Sequence, residues 1–173
     1  MKKNFKENKL EENLIEDLIK NTEGLSFDNF KFRLLEENDY HKGYFELLQF
    51  LTKSPKPEYN EWEIQYKQIM NNSVFIFVIE DTLKNLVIGS ISCLIEYKFI
   101  RNLGKVSHVE DVIVHPDYRN NKFGTKLIKY AINFSKEMEC YKVILDSKVE
   151  AIGFYEKLGF EKKSEGMALY FEI

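Results

Sequence analysis

Hydrophobic positions along the chain change their period several times, and each change marks an element. Leu10, Leu14, Ile15, Leu18 and Ile19 recur at helical spacing among Lys, Glu and Asn, so residues 1–28 read as an N-terminal extension with a short amphipathic helix. Its Lys and Glu are intermixed, which suits a helix packed on the domain better than one lying on a membrane. From residue 29 the period drops to two, because Phe30, Phe32 and Leu34 alternate with Asn29, Lys31 and Arg33, and this predicts a strand. Asn38 or Asp39 then offers an N-cap for a helix carrying Tyr44, Phe45, Leu48 and Leu51, ended by Pro55 and Pro57. A second helix carries Trp62, Ile64, Tyr66 and Ile69.

Two apolar runs rich in β-branched and aromatic residues, 73–80 and 86–97, flank a turn-like segment at 81–85, and together they predict a hairpin. A loop with Asn102 and Gly104 leads to a strand at 106–114, stopped by His115 and Pro116. Leu127, Ile128, Ala131, Ile132 and Met138 share one face of a helix over 125–138. A strand at 141–146, a short helix at 151–158 and strands at 160–163 and 167–172 complete the chain. Gly159 suits the left-handed position just past the short helix.

Composition narrows the class. The chain has 173 residues, 44% of them apolar and 31% charged, which is enough to bury a core within a single domain over residues 29–173. A net charge of −3 gives no electrostatic footprint for nucleic acid. Cys93 and Cys140 sit in apolar stretches, which argues against a disulfide framework. No apolar run approaches the ~20 residues that span a bilayer, so the expectation is a cytoplasmic protein without membrane insertion.

The segment EDVIVHPDYRNNKFGTKLIKYAI, residues 110–132, reads as strand, tight polar turn and long helix. A helix that begins just after a loop offers unpaired N–H groups and the positive end of its dipole, which together make an anion site. The same pattern is also an ordinary strand-to-helix turn, and the chain contains no GxxxxGK[ST] phosphate loop. Adjacent Glu110 and Asp111 read either as an edge-strand charge pair or as a pocket pair, and the latter requires a bulge because a strand alternates its faces. By composition alone Tyr155 is a packing aromatic and Asp146 a loop cap. Neither His108 nor His115 is assigned a role, and no residues cluster at metal-ligand spacing, so no metal is expected.

Context sharpens these readings, because the turn is followed by KVILD at 142–146 and GFYEKLGF at 153–160. The arrangement resembles the GNAT superfamily of acetyl-CoA-dependent N-acetyltransferases, whose pyrophosphate signature [QR]-x-x-G-x-[GA] corresponds here to Arg119, Asn120, Asn121, Lys122, Phe123 and Gly124. Within it, FLTKS at 50–54, EYKFIR at 96–101, HVEDVIV at 108–114 and CYKVILDS at 140–147 are similar to the eukaryotic glucosamine 6-phosphate N-acetyltransferases, from about residue 30 to 173. The resemblance implies an α+β fold with a central twisted mixed sheet flanked by helices. It also implies acetyl transfer from acetyl-CoA to the 2-amine of an amino-sugar phosphate by direct attack in a ternary complex, on the route to UDP-N-acetylglucosamine, in a homodimer.

Carried over residue by residue, the resemblance implies that Val112, Ile113 and Val114 hold the pantetheine through backbone hydrogen bonds. Arg119, Asn120, Asn121, Lys122, Phe123, Gly124 and Thr125 then cradle the pyrophosphate, and Ser147 and Tyr155 complete the cofactor site. Glu110, Asp111, Asp146 and Tyr155 are the implied catalytic residues, with Asp146 aligning the amine and Tyr155 hydrogen-bonding the departing thiolate. Thr52, Lys98, Phe99, Ile100, Arg101, Tyr141, Lys142 and Tyr170, with Glu110, Asp111 and Asp146, surround the sugar phosphate.

Three positions depart from the pattern. Lys122 stands where the superfamily usually has glycine, Ser147 replaces a cysteine, and the basic residue usual after Met167 is absent, leaving Tyr170 as the available donor. Two other readings stay open at this level. A protein or peptide N-acetyltransferase would need an open groove, for which the sequence offers no acidic stripe or extra loop. A non-catalytic acyl-CoA-binding regulatory domain would need the 120–125 turn but tolerate changes at Tyr155 and Asp146.

Overall fold

The computed structural model describes residues 29–171, so the helix expected within residues 1–28 lies outside the described residues. Five strands form one sheet in chain order: β1 (Phe30–Leu34), β2 (Val74–Asp81), β3 (Leu86–Tyr97), β4 (Lys105–Val114) and β5 (Cys140–Ile144). Neighbours are antiparallel up to β4, whereas β4 and β5 are parallel. A parallel pair needs a crossover, and α3 (Phe123–Glu137) supplies it. The architecture is the expected mixed sheet with helices.

Two apolar cores explain why the sheet is covered on both faces. On one side Leu127, Ile128, Ala131 and Phe134 of α3 pack on Phe77, Ile88, Ile91 and Cys93. On the other, Tyr44 and Leu47 of α1 (Tyr44–Leu48) and Trp62 of α2 (Tyr59–Met70) pack on Ile76, Val78, Val87 and Ile113. Strand β2 lies between them, and its residues from Ile76 to Asp81 are all buried, the continuous pattern of a strand covered on both faces. No helix among the described residues is long and apolar enough to cross a membrane.

Three local readings change. The helix expected from Asn38 or Asp39 is split into a 3₁₀ turn, Glu37–His41, and α1, because Gly43 between them adopts φ 75°. Asp39 does not act as the N-cap. It is fully buried and receives both Arg33 terminal nitrogens at 2.7 Å, while Glu36 takes the cap position. Helix α3 starts two residues early because Phe123 is buried edge-on against Phe30, ring centres 4.9 Å apart. The strands expected at 160–163 and 167–172 are not formed among the described residues. Met167, Leu169, Tyr170 and Phe171 are at least 78% exposed, because an apolar run becomes a strand only where a neighbouring edge pairs with it.

Arg33 also donates from Nε to Glu80 at 2.8 Å, and Lys42 reaches the other Glu80 oxygen at 2.9 Å. Burial alone would raise the Glu80 carboxyl, but the hydrogen bonds from Lys42 and Arg33 outweigh it and hold the group below its usual range. Glu80 therefore stabilises the fold above its unfolded pKa, and that contribution is lost as pH falls through the lower folded value. Asp39→Asn leaves the Arg33 charge buried and half-paired, at an expected cost of about 3–5 kcal/mol in unfolding free energy by urea titration. A loss within about 0.5 kcal/mol would show the network to be dispensable.

Candidate active site

The site begins with an irregularity in β4. Ser92 faces Glu110 and Ser90 faces Ile113, so Asp111 and Val112 together oppose the single residue Ile91, which defines a bulge. Asp111 takes φ 51° to allow it. The extra residue resolves the alternation: Val109, Val112 and Val114 pack toward α3, Ile113 turns to the α1 side, and Glu110 and Asp111 are both exposed. This is the condition under which both carboxylates can serve one pocket.

A second irregularity opens the sheet. Pairing between β4 and β5 ends at His108 and Ile144, so residues 109–114 run on with no ladder on that edge. Those of their N–H and C=O groups that point away from β3 are available to an extended ligand inserted there as an added strand, apart from the Val114 carbonyl, which accepts from Arg119 Nε at 3.4 Å. Beyond β5, Asp146 is exposed. The Gly166 backbone passes beside it, since a Cβ at Gly166 would stand 3.4 Å from Asp146 Oδ1. Burial first, and then the charges of Asp146 and Asp111, raise the Glu110 carboxyl above its ordinary value. Glu110, Asp111 and Asp146 thus form one acidic group at the mouth of the cleft.

Tyr155 lies on α4 (Ile152–Glu156), half-buried and edge-on to Phe154 and Phe160 at 5.0 and 5.8 Å. Burial pushes its phenol up, so it carries its proton at neutral pH. As expected, Gly159 takes φ 92°, and the Phe160 N–H returns to the Tyr155 carbonyl at 3.2 Å, ending the helix.

The turn after β4 ends in a cavity of about 270 Å³ lined by Val114, Tyr118, Arg119, Asn120, Lys122, Phe123, Gly124, Thr125 and Phe154. The first α3 amides have no intrahelical acceptor, because the ladder starts with Lys126 N–H on the Lys122 carbonyl. Asn120 and Lys122 hold the turn at φ 69° and 61°, and Asn121 braces it through its side-chain amide on the Tyr118 carbonyl at 3.1 Å. Burial, and then the Lys122 charge, hold the Lys126 ammonium below the usual lysine range. The Lys122 part of that effect places two lysine charges near the same turn. The donor set, helix dipole and cationic rim fit a diphosphate.

Across the sheet, Arg101 and Lys142 flank the Tyr141 ring at 6.0 and 5.8 Å. Gly104 permits this approach, since a Cβ there would stand 2.9 Å from both the Arg101 carbonyl oxygen and the Tyr141 ring. Arg101, Asn102 and Leu103 all have positive φ, so the expected loop is a left-handed turn. Lys98 pairs with Glu96. Thr52 lies in the turn after α1, its N–H on the Leu48 carbonyl at 3.1 Å, and Phe50 in the same turn meets His115 edge-on at 4.9 Å.

Three expected residues fall outside these groups: Phe99 and Tyr170 are 95% and 91% exposed, and the Ser147 hydroxyl donates to the Lys148 carbonyl at 2.9 Å. The Ile113 side chain belongs to the α1-side core, which leaves its backbone on the open edge, and Phe123 both packs in the α3-side core and lines the cavity. Sequence reasoning did not single out Tyr118 and Phe154, which wall the cavity. The Phe in GFYEKLGF was the available signal for one of them.

A model of the acetyltransferase (GNAT) family matches residues 39–160. The chain is 39% identical over 147 residues to the glucosamine 6-phosphate N-acetyltransferase of Arabidopsis thaliana, covering 84% of this chain and 99% of that one. It is 38% identical over 145 residues to glucosamine 6-phosphate N-acetyltransferase 1 of Dictyostelium discoideum, covering 83% and 92%. The crystal structure of the A. thaliana enzyme superposes with a TM-score of 0.80 over 84% of this chain and 100% of that chain.

Proposed function

The chain belongs to the acetyltransferase (GNAT) family and within it to the glucosamine 6-phosphate N-acetyltransferases, and from that premise we propose that it transfers acetyl from acetyl-CoA to the 2-amine of glucosamine 6-phosphate. The products are N-acetylglucosamine 6-phosphate and CoA. The observation that carries the reading is the open β4 edge, which joins an anion cradle at one end to a carboxylate group at its mouth.

The α3 amides with Arg119, Lys122 and Lys126 bind the diphosphate, and the free edge at 112–114 aligns the pantetheine and offers N–H groups to the developing oxyanion. Glu110 and Asp146 orient the sugar amine and accept its proton, and Asp111 lies beside them. Tyr155 gives its proton to the leaving thiolate. Both substrates are held at once and the amine attacks directly, so positioning supplies much of the acceleration. Arg101 and Lys142, with Lys98, Tyr141, Ile100, Phe99 and Thr52, receive the sugar phosphate. The exposed apolar tail at 167–171 meets a second copy in a homodimer, where Tyr170 can donate to the phosphate in place of a base. The product feeds UDP-N-acetylglucosamine synthesis in the cytoplasm.

Replacing both Arg101 and Lys142 by Ala is expected to raise KM for glucosamine 6-phosphate by about tenfold or more, with KM for acetyl-CoA little changed, in steady-state assays. An unchanged sugar KM would move the phosphate contact elsewhere.

A further inference from the structure

Sequence alone assigns His108 no role, and its surroundings in the fold supply one. Its Nε2 lies 2.8 Å from Glu96 Oε2. Lys98 and His108 hydrogen bonds hold the Glu96 carboxyl below its usual range, so Glu96 is an ionised acceptor and the imidazole Nε2 carries the hydrogen. In the neutral imidazole this leaves the lone pair on Nδ1. Nδ1 has no hydrogen-bond partner among the described residues. Residues facing each other across a ladder share a face. Leu94 faces His108 and Ser92 faces Glu110, while Val106 and His108 face Lys142 and Ile144. His108 therefore lies on the same side of the sheet as Glu110, one alternation away. The charged and titratable groups around it are Glu96, bonded to it, and Lys98, paired with Glu96, from β3 and the turn after it, and Glu110 from β4, which also feels the charges of Asp111 and Asp146; the β4–β5 register puts Lys142 on the same face.

We infer that the Glu96–His108 pair is a proton outlet for the acetyl-transfer site, with His108 acting through Glu110 rather than on the substrate itself; the inference rests on the proposed reaction. For each sugar ammonium that is acetylated, an N–C bond forms, the C–S bond breaks, and two protons leave nitrogen. One restores Tyr155, which has given its own proton to the sulfur. The other is surplus, and it passes from the nitrogen to Glu110, then through solvent to His108 Nδ1, and from the imidazolium to bulk water. Glu96 stabilises the imidazolium at the far nitrogen, the arrangement by which a carboxylate supports a histidine base. The His108 side chain is 28% exposed, which gives the proton its exit. A histidine that merely braced the strand pair would use Nε2 alike, but nothing would then link it to the protonation state of the substrate.

The test is the pH profile of kcat/KM for thiol release with glucosamine 6-phosphate, in the wild type, His108→Gln and Glu96→Gln, from about pH 6 to pH 9. Acetyl-CoA affinity is titrated in parallel as a check on folding. His108→Gln is expected to lose about tenfold or more at the acidic end and to approach the wild type at the alkaline end, where the amine arrives already neutral. Glu96→Gln shifts the same limb in the same direction, and added imidazole restores part of the rate of His108→Ala. A loss that is equal at every pH, or no loss, with an active wild type overturns the outlet alone. A wild type that releases no thiol with this sugar at any pH overturns the proposed reaction and the outlet with it.

Discussion

Gly124→Glu is expected to weaken acetyl-CoA binding by about a hundredfold or more while leaving the fold intact. Gly124 is the second residue of α3, and a Cβ there would meet only the Phe154 ring, at an ordinary 3.7 Å. The chain therefore accommodates a side chain at this position without moving its own atoms. The longer glutamate would project into the 270 Å³ cavity that Gly124 lines, against the amides and the Lys122 and Lys126 charges proposed to hold the diphosphate. Like charges brought together at a binding surface cost several kcal/mol, which corresponds to the stated loss. Calorimetric titration of acetyl-CoA, with a melting curve as control, reads both quantities. Wild-type affinity in a folded Gly124→Glu protein would place the diphosphate elsewhere.

The second large effect is on turnover rather than binding. Tyr155→Phe keeps the ring that packs between Phe154 and Phe160 and removes only the hydroxyl, so stability and acetyl-CoA affinity should change little. Burial pushes the phenol up, which keeps the proton on oxygen until the thiolate demands it. Proton donation of this kind contributes about 10²–10⁴ to rate, and kcat should fall within that range, with KM for either substrate shifted much less. Equal turnover in the variant would remove Tyr155 from the reaction. A matched loss of cofactor affinity would instead make it a binding residue.

How much of this could be read from the chain depended on whether the controlling interaction was local. The β2–β3 hairpin was legible because its apolar runs are long and its turn is built from its own residues, with Asp81 accepting the Leu83 and Lys84 amides at 3.1 Å. The bulge at Asp111 was legible only as a condition: two adjacent carboxylates on a strand cannot share a pocket without one. The break before α1 was hidden because Asp39 is claimed by Arg33, a contact with β1 that no helix rule contains. The apolar run at 167–171 points to a strand, but an apolar run specifies burial and not a partner. The cationic cradle was visible as a turn with one glycine, whereas its walls, Tyr118 and Phe154, come from segments that only the fold brings together. His108 was passed over because its meaning depends on Glu96, which the β3–β4 ladder brings within reach.

The most direct test of the proposed reaction is thiol release from acetyl-CoA by the purified protein, offered glucosamine 6-phosphate, glucosamine, glucose 6-phosphate and a panel of peptide amines in parallel. The predicted result is rapid release with glucosamine 6-phosphate, little with glucosamine and none with glucose 6-phosphate, since the amine is required for reaction and the phosphate for binding. Release with the peptides and not with the amino-sugar phosphate would contradict the account.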